Sequence, residues 1–89
     1  MRAVITVMGK DTVGILANIT AVCASADVNI MDMTQTVLDN IFVMTMLADI
    51  SKCKTDFTEL SDNLKSAGRE LSMEVQVMHE DIFNSMHRI

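Results

Sequence analysis

The order in which hydrophobic periodicity changes along the chain restricts the fold more than any other feature. Four segments are rich in β-branched residues or alternate between apolar and polar residues, which indicates strands. Two others carry apolar residues at helical spacing. The predicted strands are residues 2–8, 29–38, 41–50 and 70–78, and the predicted helices begin near Gly14 and Asp56. The order is strand, helix, strand, strand, helix, strand, followed by a helical tail.

Asp39 and Asn40 lie between the two middle strands and predict a two-residue hairpin, because both residue types tolerate positive φ. A central hairpin with a crossover helix on each side gives an α+β, ferredoxin-like βαββαβ sandwich. We therefore predict a four-stranded antiparallel sheet with two helices on one face, plus a short C-terminal helical tail. Right-handed crossovers place the first and third strands at the centre. The domain is predicted to span residues 1–78 and the tail residues 79–89.

The other face of the sheet needs a cover. In the second strand, alternation predicts one face made of Ile30, Asp32, Thr34 and Thr36. The uncovered face of the sheet is expected to be lined by apolar residues of the second and third strands: Met33, Val37, Met44 and Met46. A chain of 89 residues buries only about 60–65% of its unfolded surface. Since 49% of its residues are hydrophobic, we expect a second copy to cover that face in a homodimer.

Capping residues predict where the helices begin and end. Asp11 or Thr12 is a suitable N-cap for the first helix. Asp56, with Glu59 three residues later, resembles a capping box at the start of the second helix. Gly68 occupies the position expected of a glycine just after that helix.

Composition excludes several classes of partner. The formal net charge is −5 and no basic run occurs, which disfavours both nucleic acid and an anionic membrane surface. No stretch is apolar enough to span a bilayer. Cys23 and Cys53 lack a close spacing and are expected to be free thiols. These features predict a cytoplasmic protein.

The loop between the first strand and the first helix, with the sequence GKDTVG, is the candidate binding element. It lacks the third glycine and the spacing of a dinucleotide fingerprint, and no G-K-[ST] sequence closes it as in a phosphate loop. Amides around residues 13–16 would be unpaired at the positive end of the helix dipole, an arrangement that suits a small anion such as a carboxylate. In the alternative interpretation, Gly14 only permits close helix–strand packing and Asp11 only caps.

Three segments resemble the ACT domain, a small regulatory module that binds amino acids: GKDTVGILANIT, ADVNIMDMTQTV and FVMTMLADIS. The resemblance covers residues 1–78 and is strongest to stand-alone, single-domain prokaryotic ACT proteins. Val13 departs from the pattern, since many ACT loops have proline before the glycine.

The resemblance implies a ligand site at a dimer interface. The matching positions are Asp11, Thr12, Gly14, Ile15, Leu16 and Asn29. Helix amides would hold the carboxylate of an amino acid, and Asp11 or a carbonyl would receive its ammonium. The implied function is a non-catalytic regulatory module that senses a small amino acid or similar metabolite and acts on a protein partner or pathway. The alternative is a dimerisation or protein-interaction module without a ligand.

Catalytic and metal sites have little support. His79 and His87 are eight residues apart, which is not the spacing of a local pair of metal ligands on a helix. Cys23 falls on the apolar helix stripe and is interpreted as a core thiol. Acylphosphatase-type enzymes of this fold need an arginine in the first loop, where this chain has Lys10. We therefore predict no catalytic residue, no metal and no cofactor.

Overall fold

A computed structural model describes residues 1–10 and 13–86. The strands are β1 (Arg2–Lys10), β2 (Asn29–Leu38), β3 (Ile41–Asp49) and β4 (Glu74–His79), and the helices are α1 (Ile15–Ser25), α2 (Phe57–Glu70) and α3 (Glu80–Met86). The four strands form one antiparallel sheet in the order β2-β3-β1-β4. The predicted ferredoxin-like sandwich is confirmed, with the first and third strands at its centre.

The core lies between the sheet and the helices α1 and α2. Alternate residues of β1 and β3 point into it, since successive side chains of a strand lie on opposite faces. Paired residues of antiparallel strands share a face: Ile5 pairs with Met46 and Val7 with Met44, and all four are fully buried. Ile19 of α1 and the two leucines of α2, Leu60 and Leu64, close the core from the other side.

The methionines predicted to line the uncovered sheet face point the other way. Met44 and Met46 belong to the core, and Met33 and Val37 share their face because they pair with Met46 and Phe42. Strand β3 carries apolar residues on both of its faces, so its sequence does not show which set of residues points inward. The residues on the outer face are instead Val4, Thr6 and Met8 of β1 with Val43, Thr45 and Leu47 of β3.

A β-bulge changes the predicted faces of β2. Ile30 pairs with Ala48 but Asp32 pairs with Leu47, so Met31 is the extra residue. Ile30 therefore faces the core, whereas Asp32, Thr34 and Thr36 face outward. Strict alternation had placed all four on one face, and that prediction is wrong for Ile30.

The hairpin and the start of α2 follow the prediction. Leu38 pairs with Ile41 across the two-residue turn, and Asp39 takes a positive φ of 59°. The N-cap of α2 is Asp56, whose carboxylate accepts a hydrogen bond of 2.7 Å from the Glu59 amide.

Gly68 does not follow α2 but lies inside its last turn, and the prediction for it is wrong. The helix continues to Glu70, and Ser72, with a φ of 58°, takes the left-handed conformation after it. Gly68 is buried, and a Cβ at this position would lie 2.4 Å from Cγ2 of Val75. The glycine therefore permits close approach of α2 to β4.

The helical tail packs back onto the sheet. Helix α3 contacts β1 and β4, and Arg2 of β1 holds Glu80 at its start through a hydrogen bond of 3.0 Å and an ion pair of 2.6 Å. Val4 lies on the face opposite to α1 and α2 yet is only 5% exposed. Helix α3 therefore covers one end of the outer face.

Candidate functional site

Gly14 forms the N-cap of α1, with φ 92° and ψ 0°. This left-handed conformation is strained for residues with a Cβ and natural for glycine. A Cβ built at Gly14 would meet no atom of residues 1–10 and 13–86 within 4 Å. Gly14 therefore does not serve helix–strand packing, and the space beside it is open. The helix begins at Ile15, close to the predicted start near Gly14, but the prediction that Asp11 or Thr12 would be its N-cap is wrong.

The first turn of α1 presents backbone donors that have no acceptor among the residues that the structure describes. The first intrahelical hydrogen bond joins the Asn18 amide to the Gly14 carbonyl at 3.0 Å. The amides of Ile15, Leu16 and Ala17 precede it and have no acceptor within the helix. The first turn contains no acidic side chain, so no carboxylate there offsets the positive end of the helix dipole. This end of α1 can accept an anion.

The predicted site residues differ in what they can contribute. The side chain of Ile15 belongs to the core, with 3% exposure, so only its backbone can reach a ligand. Leu16 is 40% exposed, and Val13, which precedes the glycine, is 97% exposed. Together they leave apolar surface around the free amides. Asp11 and Thr12 lie outside the described residues.

Asn29 lies at the other end of the sheet. It pairs with Asp49, which pairs with Arg2, whereas α1 begins just after Lys10 at the opposite end of β1. Eight residue steps of strand separate Arg2 from Lys10, a distance of about 27 Å. One chain therefore does not bring Asn29 and Gly14 together, and a site that contains both needs two chains.

The end of the sheet near Asn29 carries a charged cluster that the sequence analysis did not predict. The N-terminal ammonium donates to Oγ of Ser51 at 2.8 Å, and the Ser51 amide donates to Asp49 at 2.9 Å. Hydrogen bonds to Asp49 from the side chain and from the backbone amide of Ser51 lower the pKa of its carboxyl group, with a smaller contribution from the ammonium. A cleft of about 660 Å³ opens here, lined by Met1, Arg2, His79, Glu80, Asp81 and Ile82. Its cationic Arg2 is already paired with Glu80.

Cys23 and His79, the candidates for a nucleophile and a metal ligand, both pack against other side chains of the fold. Cys23 is 1% exposed, and burial, with a contribution from nearby Cys53, raises its thiol pKa to about 11. It is protonated at neutral pH and packs in the core, as predicted. His79 stacks on Phe57 with ring centroids 4.1 Å apart, and His87 lies outside the described residues.

Residues 1–10 and 13–86 contain neither a candidate metal cluster nor a helix that could span a membrane. No group of three or more His, Cys, Asp or Glu residues is arranged to hold a metal ion in this part of the chain. None of its helices combines the length and the apolar character needed to cross a bilayer.

Comparison with known proteins agrees with the fold. The family model of the ACT domain matches residues 2–78. A UPF0237 protein of Methanocaldococcus jannaschii is 51% identical over 88 residues, which cover 99% of this chain and 98% of that protein. An ACT domain protein from Streptococcus pneumoniae is 38% identical, with a TM-score of 0.81 and 93% of each chain covered.

A more distant structure, the ACT domain of a GTP pyrophosphokinase from Chlorobium tepidum, shares the fold at 24% identity. Its TM-score is 0.61, and the match covers 88% of this chain and 97% of that one. The match of the family model to residues 2–78, together with the close relatives over nearly the full length, establishes that this chain belongs to the ACT domain family.

Proposed function

We propose that the protein is a non-catalytic regulatory module of the cytoplasm that binds a small amino acid or similar metabolite between two copies of the chain. The observation that carries this proposal is Gly14, whose φ of 92° and open surroundings expose the first amides of α1. A carboxylate accepts hydrogen bonds from such amides, and the helix dipole favours its charge. Asp11 or a backbone carbonyl is the proposed partner of the ligand ammonium, and Thr12 is proposed to contact the ligand as well.

The edge strand β2 supports a dimer. It is ten residues long, ends the sheet and is largely exposed, including Met31, Val37 and Leu38 at 50%, 53% and 73%. A long apolar edge with unpaired backbone groups readily pairs with another strand. A two-fold axis beside β2 would join two β2 strands antiparallel and continue the sheet through both copies.

This arrangement would also explain the position of Asn29. In an antiparallel β2–β2 pair, the first residue of one strand lies near the last residue of the other. The Asn29 of one copy would then lie at the level of Leu38 in the other, at the end of the sheet where Gly14 opens. Two chains would thus combine the free amides with an amide side chain that can both donate and accept.

Disrupting the β2 edge should give monomers. Met31→Lys with Val37→Lys places like charges along both strands of the proposed junction, and inward-facing lysines prevent edge pairing. We expect the wild type to sediment as a dimer at micromolar concentration and the double variant as a folded monomer. Thr58→Lys with Ser66→Lys, which adds the same charge to exposed positions of α2, should remain dimeric. A monomeric wild type would exclude the proposed interface.

Ligand binding is tested by thermal-shift measurements with each amino acid at millimolar concentration. The cognate amino acid should raise the melting temperature, and the amine that lacks its carboxylate should not, because the helix amides have nothing to bind in that amine. If no amino acid changes the melting temperature, the alternative function follows, a dimerisation or interaction module without a ligand.

Regulation by the ligand requires two arrangements of the dimer, or of its complex with a partner. The ligand must bind these two arrangements with different affinities.

A further inference from the structure

The free edge of β4 lies beside two basic side chains. Strand β4 ends the sheet on the side opposite to β2, so among residues 1–10 and 13–86 no strand pairs with the backbone groups of its free edge. A cleft of about 160 Å³ runs between this edge and α2, lined by Lys65, Arg69, Met73, Glu74, Val75 and Gln76. Unpaired strand edges of this kind accept an added strand from a partner.

Lys65 and Arg69 are not used within the described part of the fold. The two ion pairs that it contains join Arg2 to Glu80 and Lys54 to Asp27. Arg69 lies in the last turn of α2, where its charge complements the helix dipole. This effect falls off within the last turn and does not account for Lys65, which is half-buried beside the cleft.

The spacing of the two cations matches an extended chain. Residues four apart on a helix are separated by about 6 Å along its axis. Residues two apart on a strand are separated by about 6.7 Å and share one face. Lys65 and Arg69 can therefore each meet one of two acidic side chains on the same face of an added strand.

The two faces of β4 differ in charge. Val75 and Val77 point toward α2, whereas Glu74 and Gln76 point to the outer face, where Glu74 accepts a hydrogen bond of 3.2 Å from Gln76. An added strand would thus meet two cations on the helix side and a carboxylate on the outer side. This pattern favours acidic residues at alternate positions, separated by neutral ones.

We propose that the β4 edge binds an extended acidic segment of a partner protein by strand addition, with acidic residues at alternate positions paired to Lys65 and Arg69. A second copy of this chain is a poor occupant. Two β4 edges related by a two-fold axis would bring four basic side chains to one junction, and their repulsion would oppose it. The inference supplies the kind of partner on which the regulatory module acts, and it does not require a ligand at α1.

A peptide titration tests the proposal on the full chain without any amino acid present. The probe is a short peptide of alternating threonine and glutamate with blocked ends, and its control has the same composition with the glutamates in adjacent pairs. We expect the alternating peptide to shift the amide resonances of residues 74–79 and to bind at least fivefold more tightly than the control. The net charge of −5 opposes general attraction of an acidic peptide.

Charge variants connect the binding to the two side chains. Lys65→Glu with Arg69→Glu should weaken peptide binding at least tenfold, whereas Lys52→Glu, a charge reversal at an exposed position away from the cleft, should leave it unchanged. If the double reversal unfolds the protein, Lys65→Gln with Arg69→Gln replaces it. The proposal is overturned by absent shifts at millimolar peptide, by shifts along β2 instead, by equal binding of the control peptide, or by a charge variant of Lys65 and Arg69 that binds like the wild type.

Discussion

Replacing Gly68 with alanine should destabilise the protein by up to about 2 kcal/mol, because adding a methyl group to a filled core usually costs about 1–3 kcal/mol and alanine is the better helix former by about 1 kcal/mol. The new Cβ would lie 2.4 Å from Cγ2 of Val75 and 3.2 Å from the Met73 carbonyl oxygen. Val75 is buried and β-branched, so it has little freedom to move away. Urea denaturation measures the difference.

A double-mutant cycle identifies the cause. Val75→Ala removes the methyl group that the new Cβ would meet. The loss of unfolding free energy in the combined variant should therefore be at least about 1 kcal/mol smaller than the sum of the losses in the two single variants. Contacting residues commonly show coupling of about 0.5–3 kcal/mol. An additive cycle would mean that Gly68 serves the backbone of the helix end rather than its approach to β4.

The sequence does not show whether Gly68 follows α2 or lies within it. A glycine near the end of a helical pattern has two physical explanations, a left-handed residue after the helix or a close contact within it. Ser72 supplies the left-handed residue here, at a φ of 58°, and nothing in its identity marks it for that role. The choice depends on the distance between α2 and β4, which is a property of the assembled fold.

The strand order could be predicted because local signals set it. Periodicity separated strands from helices, Asp39-Asn40 fixed the hairpin, and Asp56 fixed the start of α2. The faces of the strands were less predictable. A bulge at Met31 reverses the side on which later residues of β2 lie, and the apolar run of β3 contains residues of similar hydrophobicity on both sides. Pairing with neighbouring strands decides both.

The candidate site was predictable only in part. The exposed helix end at Gly14 followed from the loop sequence, although its N-cap is Gly14 itself rather than Asp11 or Thr12. The distance between Gly14 and Asn29 could not be read from the sequence, because it depends on the strand register. The family resemblance places both residues at one interface, and the fold of one chain places them at opposite ends of its sheet.

Substitution of Gly14 should remove the ligand response. Gly14→Val places a β-branched residue at a φ of 92°, which costs on the order of 1–2 kcal/mol or rearranges the first turn. Gly14→Asn is the sharper variant, since asparagine tolerates the left-handed conformation. Its side chain would extend into the open space beside the amides, so it should block a ligand with little loss of stability. Neither variant changes β2, so both should remain dimeric.

A matched control distinguishes a blocked site from a general effect on α1. Asp27 follows the other end of the same helix and has a φ of 58°. Asp27→Asn places the same amide side chain at another residue of positive φ, away from the free amides, and removes only an exposed ion pair with Lys54. It should retain the full ligand response.

The most direct test is the ligand-induced gain in stability of these four proteins, measured by thermal unfolding at a ligand concentration about 100 times its dissociation constant. At that ratio the wild type and Asp27→Asn should gain about 2.7 kcal/mol, a rise in melting temperature on the order of 10 °C for a domain of this size. Gly14→Asn and Gly14→Val should gain nothing at the same concentration. A wild type that responds to no amino acid, or Gly14 variants that respond as fully as the wild type, would contradict a carboxylate site at the start of α1.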